Sequence, residues 1–201
     1  MALLLDLLEN ADFSAAAAGL AREFRDRHAL PALHQLGLVV PDVEAAAEEL
    51  EKRGIGPFFI AAGRPGLWQE RGRDKMFAGK LGLAYHQGFE LELLEPGLGS
   101  DFYRHSLDPQ GRILIQHLGF LCPDVDAAVG RLGSPVWVRG RIRTGPMLSD
   151  FAYLDTGAEA GLVIEFISWR FLGLALAPPR GLIRALGRLE KWSGKRCLNL
   201  V

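Results

Sequence analysis

The feature that most constrains this chain is a stretch that occurs twice. Leu33 to Ala46 reads LHQLGLVVPDVEAA, and Ile115 to Ala128 reads IQHLGFLCPDVDAA. The offset is constant (115 − 33 = 82), and 7 of the 14 paired positions are identical, including Leu-Gly and Pro-Asp-Val. A repeat of this kind sets how the whole chain is read, as two halves of similar build. Each copy reads as a strand entering a helix. The apolar run is the strand, Pro-Asp ends it, and Asp42 or Asp124 caps the helix and suits its positive N-terminus.

The rest of the chain fits around these two copies. Residues 2–9 and 14–27 read as short helices of an added arm, closed by Pro31. Strand 33–40 leads to a helix at 42–53, ended near Gly54. A strand at 58–61 follows, then a polar, turn-rich loop over 63–75, then a hairpin of 78–85 with 89–95 around His86-Gln87-Gly88. The second half repeats the order: strand 114–121, helix 124–132, strand 135–139, loop 140–148, and a hairpin of 149–155 with 161–168. One helix cannot cover a sheet on both faces, so two such units are expected side by side around a shared concave face. The predicted fold is α+β: two β-α-β-β-β modules pairing into one concave mixed sheet, with added helical N- and C-terminal segments. The boundaries are an arm over 1–30, a first module over 31–96, a linker over 97–113, a second module over 114–168 and a basic amphipathic tail over 169–201.

Composition narrows the partners. Net charge is −1, which gives no global case for nucleic acid. The charge is uneven, since residues 170–201 hold seven Lys or Arg against one acid, Glu190. In the tail Arg184, Arg188 and Lys191 recur at helical spacing opposite Leu182, Ile183, Ala185, Leu186 and Leu189. The tail helix is expected to pack on the body or on a second subunit, the alternative being a membrane surface or an anionic partner. Within the first reading three roles are open to the arm and tail: capping a sheet edge, burying an apolar stripe in a homodimer, or covering the pocket. No apolar run reaches the ~18–20 residues of a membrane span. The start lacks a basic region and carries Asp6 and Glu9, a poor signal peptide. Cys122 and Cys197 form no metal-finger or redox spacing, which fits a reducing, cytoplasmic setting.

Strand alternation locates the chemistry. With the copies aligned, His117 matches Gln35, so Gln35, Gly37 and Val39 share a face with the positions of His117, Gly119 and Leu121. His34 is expected to point the other way, toward the helices. The last strand of each half carries carboxylates: Glu90, Glu92 and Glu95 in the first, Glu165 in the second. Glu165 is a charge in an otherwise apolar strand and needs a partner. That partner is an arginine, or a metal ion with His117 beside it. Imidazole with carboxylate suits Zn, Ni, Co, Fe or Mn. Tyr103, Arg104 and His105 in the linker, and Arg64, Arg73, Arg141 and Arg143 before the hairpins, are candidates to border the pocket.

The repeated pattern resembles the vicinal oxygen chelate superfamily, which includes glyoxalase I, methylmalonyl-CoA epimerase, extradiol dioxygenases and bleomycin-resistance proteins. The resemblance covers about residues 32–168. It is carried by the segment Gln35 to Val43, by Gly54-Ile55-Gly56-Pro57-Phe58, by Glu92-Leu93-Leu94-Glu95-Pro96, by His117-Leu118-Gly119-Phe120 and by Ile164-Glu165-Phe166. It implies one metal ligand on each first strand and one on each fourth strand: Gln35, Glu92, His117 and Glu165. Such a set is similar to that of some glyoxalase I enzymes, whereas the epimerases usually have His at the first position. The implied cofactor is a divalent metal (Zn, Ni, Co or Mn). The implied activity is a metal-dependent isomerase, epimerase or lyase. It would act on a small carbonyl compound or acyl thioester through a metal-stabilised enolate, with Glu165 as base and Glu92 as second acid/base or plain ligand. The alternative is a metal-free small-molecule-binding protein of the same fold. An oxygen-using ring-cleavage enzyme typically uses two His and one Glu, and here His117 alone is well placed.

Overall fold

The computed structural model describes residues 2–176 and 178–199. In chain order its elements are β1 (Ala2–Leu3), α1 (Leu4–Leu8), α2 (Phe13–Gly19), α3 (Arg22–Arg27), β2 (Gln35–Val39), α4 (Val43–Lys52), β3 (Phe59–Gly63), β4 (Leu67–Glu70), β5 (Arg73–Asp74), β6 (Gly79–His86) and β7 (Phe89–Leu94). A 3-10 turn at Arg104–Ser106 precedes β8 (Leu114–Leu121), α5 (Val125–Leu132), β9 (Val136–Thr144), β10 (Met147–Leu154), α6 (Gly157–Ala160), β11 (Val163–Phe171), β12 (Leu174–Ala175), α7 (Arg180–Ser193) and β13 (Leu198–Asn199). This is the α+β class expected, with helices laid on a single curled mixed sheet.

The two similar stretches lie against each other. β2 and β8 pair antiparallel, with Leu36 opposite Leu118, so equivalent residues meet at the centre of the sheet. β7 runs parallel to β2 on one side, and β11 runs parallel to β8 on the other. The continuous order is β13-β3-β6-β7-β2-β8-β11-β10-β9-β4-β5. Both helices that follow the paired strands are capped as their sequence suggests: Ala45 N–H donates to Asp42 Oδ1 at 3.0 Å, and Ala127 N–H to Asp124 Oδ1 at 2.9 Å.

Alternation divides the sheet into a packed back and a concave front. Leu36, Leu38, Leu118, Phe120, Ile164 and Phe166 point back, where α4, α5 and the N-terminal arm cover them with Val43, Leu50, Val125, Phe13 and Phe24. Each fully buried large side chain of this layer contributes about 1.5–3 kcal/mol of transfer free energy. The front carries a second, largely aromatic cluster that includes Trp68, Phe77, Tyr103, Phe151 and Tyr153.

Several boundaries differ from the sequence reading. The segment expected as a loop over 63–75 forms β4 and β5, and β4 pairs antiparallel with β9, so a ribbon of the first half crosses to the edge of the second. Trp68, 3% exposed and stacked on Phe77 at 4.2 Å, anchors it. The pairing partner, Gly140, is distant in the chain, and no local pattern announces it. The loop expected over 140–148 is likewise strand on both sides of Gly145-Pro146. Its arginines alternate with Gly140 and Ile142, and Arg141 Nε donates to Asp150 Oδ1 on the facing strand at 2.6 Å. The helix expected over 14–27 breaks at Ala21, whose φ of 47° is left-handed. Among the described residues no helix is long and apolar enough to cross a membrane.

Candidate functional site

The antiparallel pairing of β2 with β8 sets Gln35 opposite Gly119 and His117 opposite Gly37. Each polar side chain lies over the other strand's glycine. A Cβ on Gly37 would fall 1.7 Å from Cε1 of His117, and a Cβ on Gly119 would fall 2.5 Å from Oε1 of Gln35. No side chain fits at either place, so glycine is what lets imidazole and amide lie flat across the sheet. The parallel pairings then bring Glu92 beside Gly37 and Glu165 beside Gly119.

Three groups converge as a result. Donor atoms of Glu92, His117 and Glu165 all lie within 4.8 Å of one another. His117 Nε2 is 3.1 Å from Glu165 Oε2 and 3.4 Å from Glu92 Oε2. His117 is fully buried and Glu165 is 3% exposed. Among the described residues, four of the seven buried side-chain polar atoms without a hydrogen-bond partner belong here: Gln35 Oε1, Glu92 Oε2, His117 Nε2 and Glu165 Oε2. Unpaired buried polar atoms are costly, and four of them in one group of residues point to a missing partner. That partner is not arginine or lysine, because among the described residues the ion-pair contacts of Glu92 and Glu165 are to His117 alone.

Electrostatics match this crowding. Burial pulls the His117 imidazole down, but the charges of Glu165 and Glu92 outweigh it and push it up to about 9. Burial, aided by the Glu165 charge, holds Glu92 above the usual carboxylate range despite His117. Tyr103 and Tyr153, whose hydroxyls meet at 2.9 Å, are kept neutral by burial. The Tyr153 ring stands edge-on to His117 with centroids 5.0 Å apart.

Two residues outside the expected ligand set position the cluster: Gln116, which sequence reasoning did not single out, and Glu90, which it named beside Glu92. The β2–β8 register slips after Gly37, so Gln116 is the extra residue of a bulge. Gln116 Oε1 lies 2.7 Å from His117 Nδ1. A donated Nδ1–H fixes the ring and leaves Nε2 toward the carboxylates, the arrangement common behind metal-binding imidazoles. On the other side, Gln35 Nε2 donates to Glu90 Oε1 at 3.0 Å, and Tyr85 Oη donates to Glu90 Oε2 at 2.5 Å. Glu90 thus aims the amide so that Gln35 Oε1 is left unpaired. Burial pushes Glu90 up to about 7 against these bonds. The signal for Glu90 was present in sequence as a carboxylate two residues from Glu92 on one face. Gln116 carried none.

His34 does not join the cluster. It was expected to turn toward the helices, but its Nε2 sits 3.9 Å from Glu90 Oε1 and its ring faces Tyr85. Its backbone is bonded into the sheet on both sides, N–H to the Gly119 carbonyl at 3.1 Å and carbonyl from the Glu90 N–H at 2.9 Å, and its side chain lies beside Glu90 rather than among the helices. Of the loop and linker candidates, Tyr103 and Arg64 line the cavity in front of the cluster. Arg141 pairs with Asp150, and Arg104 with Asp101.

That cavity has a volume of about 500 Å³. Glu92, Glu165 and Gln35 form part of its floor, Trp68, Phe151 and Trp169 its walls, and Ile183 and Leu186 of α7 its cover. The tail therefore lies over the pocket, one of the three roles open to it.

A family model described as the glyoxalase/bleomycin resistance protein/dioxygenase superfamily matches residues 34–153, more than half of the chain. The chain belongs to this superfamily. No curated protein matches it. Solved structures of similar shape include a methylmalonyl-CoA epimerase in complex with methylmalonyl-CoA and ammonium, 19% identical with a TM-score of 0.43 over 69% of this chain and 94% of that one. The methylmalonyl-CoA epimerase of Mycobacterium tuberculosis is 19% identical, with a TM-score of 0.43 over 67% and 85%. A hypothetical protein of Bacillus halodurans C-125 is 15% identical, with a TM-score of 0.39 over 67% and 91%.

Proposed function

We propose that this superfamily member is a metal-dependent isomerase, epimerase or lyase that moves a proton next to the carbonyl of a small carbonyl compound or acyl thioester. The observation that carries the reading is the set of four buried, unpaired donor atoms on Gln35, Glu92, His117 and Glu165. One imidazole nitrogen, two carboxylates and an amide oxygen suit a divalent ion such as Zn, Ni, Co or Mn. When bound, such an ion supplies a Lewis acid beside the substrate oxygen.

The chain's own residues supply the rest. Glu165 is the base that takes the proton, from a floor shielded from bulk water. Glu92 is the second acid/base or a plain ligand. Gln116 holds the His117 ring, Glu90 holds the Gln35 amide, and the apolar walls keep water from competing for the proton.

A second reading is a metal-free binding protein of the same fold. It draws on the same triad, because a protonated His117 between Glu165 and Glu92 balances part of their charge without an ion. Metal analysis of protein purified without chelator separates the two. One equivalent of divalent metal, lost together with turnover in Glu165→Gln, supports the enzyme. No metal uptake by wild type from Zn²⁺, Ni²⁺, Co²⁺ or Mn²⁺ leaves the binding protein.

A further inference from the structure

The cavity is far more apolar than a small polar substrate requires, and its cover is built by a segment beyond the part of the chain that the family model matches. Residues 178, 179, 182, 183 and 186 line it, as does Leu176. This cover is fastened independently of any occupant. Arg180 Nη2 donates to the Gly88 carbonyl at 2.7 Å, with its guanidinium 5.3 Å from the Tyr85 ring centre. Ile60 N–H donates to Glu190 Oε2 at 2.8 Å. Lys191 and Arg196 pair with Glu51 at 3.0 and 3.1 Å. Gly187 lets α7 approach so closely that a Cβ there would lie 2.8 Å from the Phe58 carbonyl oxygen. The face carrying Ile183 and Leu186 is therefore a fixed wall.

Away from the floor, little in the cavity suits a charged handle. Lys80 lines it, but its ammonium is spent on Glu44 at 2.9 Å and Glu95 at 3.7 Å. Arg64 is exposed at the rim. The volume of about 500 Å³ would hold roughly 15 waters, most of them against walls with nothing to bond. Pockets of this kind take ligands that are mainly apolar and oriented by a few polar groups.

We propose that the substrate is a hydrophobic carbonyl compound, with a polar reacting end on the floor and an alkyl chain or aromatic ring lying under α7. The reacting end rests on the functional reading above. The apolar compartment does not.

The test titrates full-length protein with neutral 2-alkanones from 2-pentanone to 2-nonanone, following tryptophan fluorescence, with and without EDTA. Trp68 and Trp169 line the cavity and report occupancy. Burial of each added CH₂ is expected to tighten the dissociation constant about fourfold, with or without chelator. Leu186→Asp should flatten that dependence, while Leu189→Asp, at a residue 54% exposed and outside the lining, should keep it. Affinity independent of chain length in wild type overturns the proposal whether or not the variants fold. An unchanged slope in a folded Leu186→Asp protein overturns the placement under α7. A parallel Zn²⁺ titration tests the metal reading separately: a steep chain-length dependence with no Zn²⁺ binding removes that reading and keeps this one.

Discussion

Replacing Gly37 with alanine changes none of the four donor residues, yet it should disable the site. The new Cβ would lie 1.7 Å from Cε1 of His117 and 2.1 Å from each ring nitrogen. Ordinary carbon contacts need ~3.5–4.0 Å, so the ring must shift by about 2 Å. It has nowhere to go, since His117 is fully buried, the Tyr153 ring lies 5.0 Å away and Gln116 Oε1 sits 2.7 Å from Nδ1. Overpacking of this kind costs about 1–3 kcal/mol of stability. Misdirecting one ligand should weaken metal affinity by about 10–100-fold, the range found when the groups that orient metal ligands are lost. Gly140 provides the control. A Cβ there would meet Phe151 Cζ at 2.0 Å, a comparably severe clash that falls on a cavity wall and not on one of the four donor residues. The assay pairs urea unfolding with competitive Zn²⁺ titration. Both variants should lose stability, and only Gly37→Ala should lose affinity. Wild-type Zn²⁺ affinity in Gly37→Ala would refute the placement of His117 over this glycine as the basis of a metal site.

Other perturbations separate further parts of the argument. Gln116→Leu removes the acceptor at His117 Nδ1 and should weaken Zn²⁺ or Co²⁺ binding about 10–100-fold while leaving the circular dichroism unchanged. Asp42→Ala and Asp124→Ala each remove one helix cap and should cost about 1 kcal/mol apiece in urea unfolding, near additively. Glu190 is 2% exposed and pushed up to about 7, chiefly by burial and further by Glu44 and Glu51, against the Ile60 amide and Arg196. A carboxyl raised in the folded state keeps a proton that the unfolded chain has lost above about 4.5, so its contribution to stability falls as pH rises from about 4.5 to 7. Glu190→Gln should therefore gain stability relative to wild type across that window, read by thermal unfolding at pH 5 and pH 7.5.

What could be read from sequence follows a physical divide between local and distant interactions. Strand, Pro-Asp and capped helix are local, and 14 residues carry the whole signal twice. Placing Gln35 and His117 on one face needed only alternation, and the glycines two residues beyond each were visible in the same alignment. The ribbon at Leu67–Glu70 was not legible, because its stability comes from pairing with β9 and from one buried tryptophan rather than from its own polar sequence. Gln116 failed for a related reason. Its role depends on a bulge in the β2–β8 pairing, and a bulge arises from how two strands meet rather than from either strand's own pattern. The amphipathic tail was legible as a helix, but an apolar stripe does not name the surface it will cover.

The same divide explains why the cluster takes the form it does. Antiparallel pairing centred on Leu36 and Leu118 would, with identical halves, place the same residue type over each glycine. Here the two positions differ. One is an amide steered by Glu90, the other an imidazole steered by Gln116. Burial then leaves both carboxylates, Glu92 and Glu165, dependent on the imidazole side for charge balance. The two ends of the floor are thus electrostatically unlike. Under the proposed function, a substrate lying beneath α7 would meet these unlike ends in a fixed order.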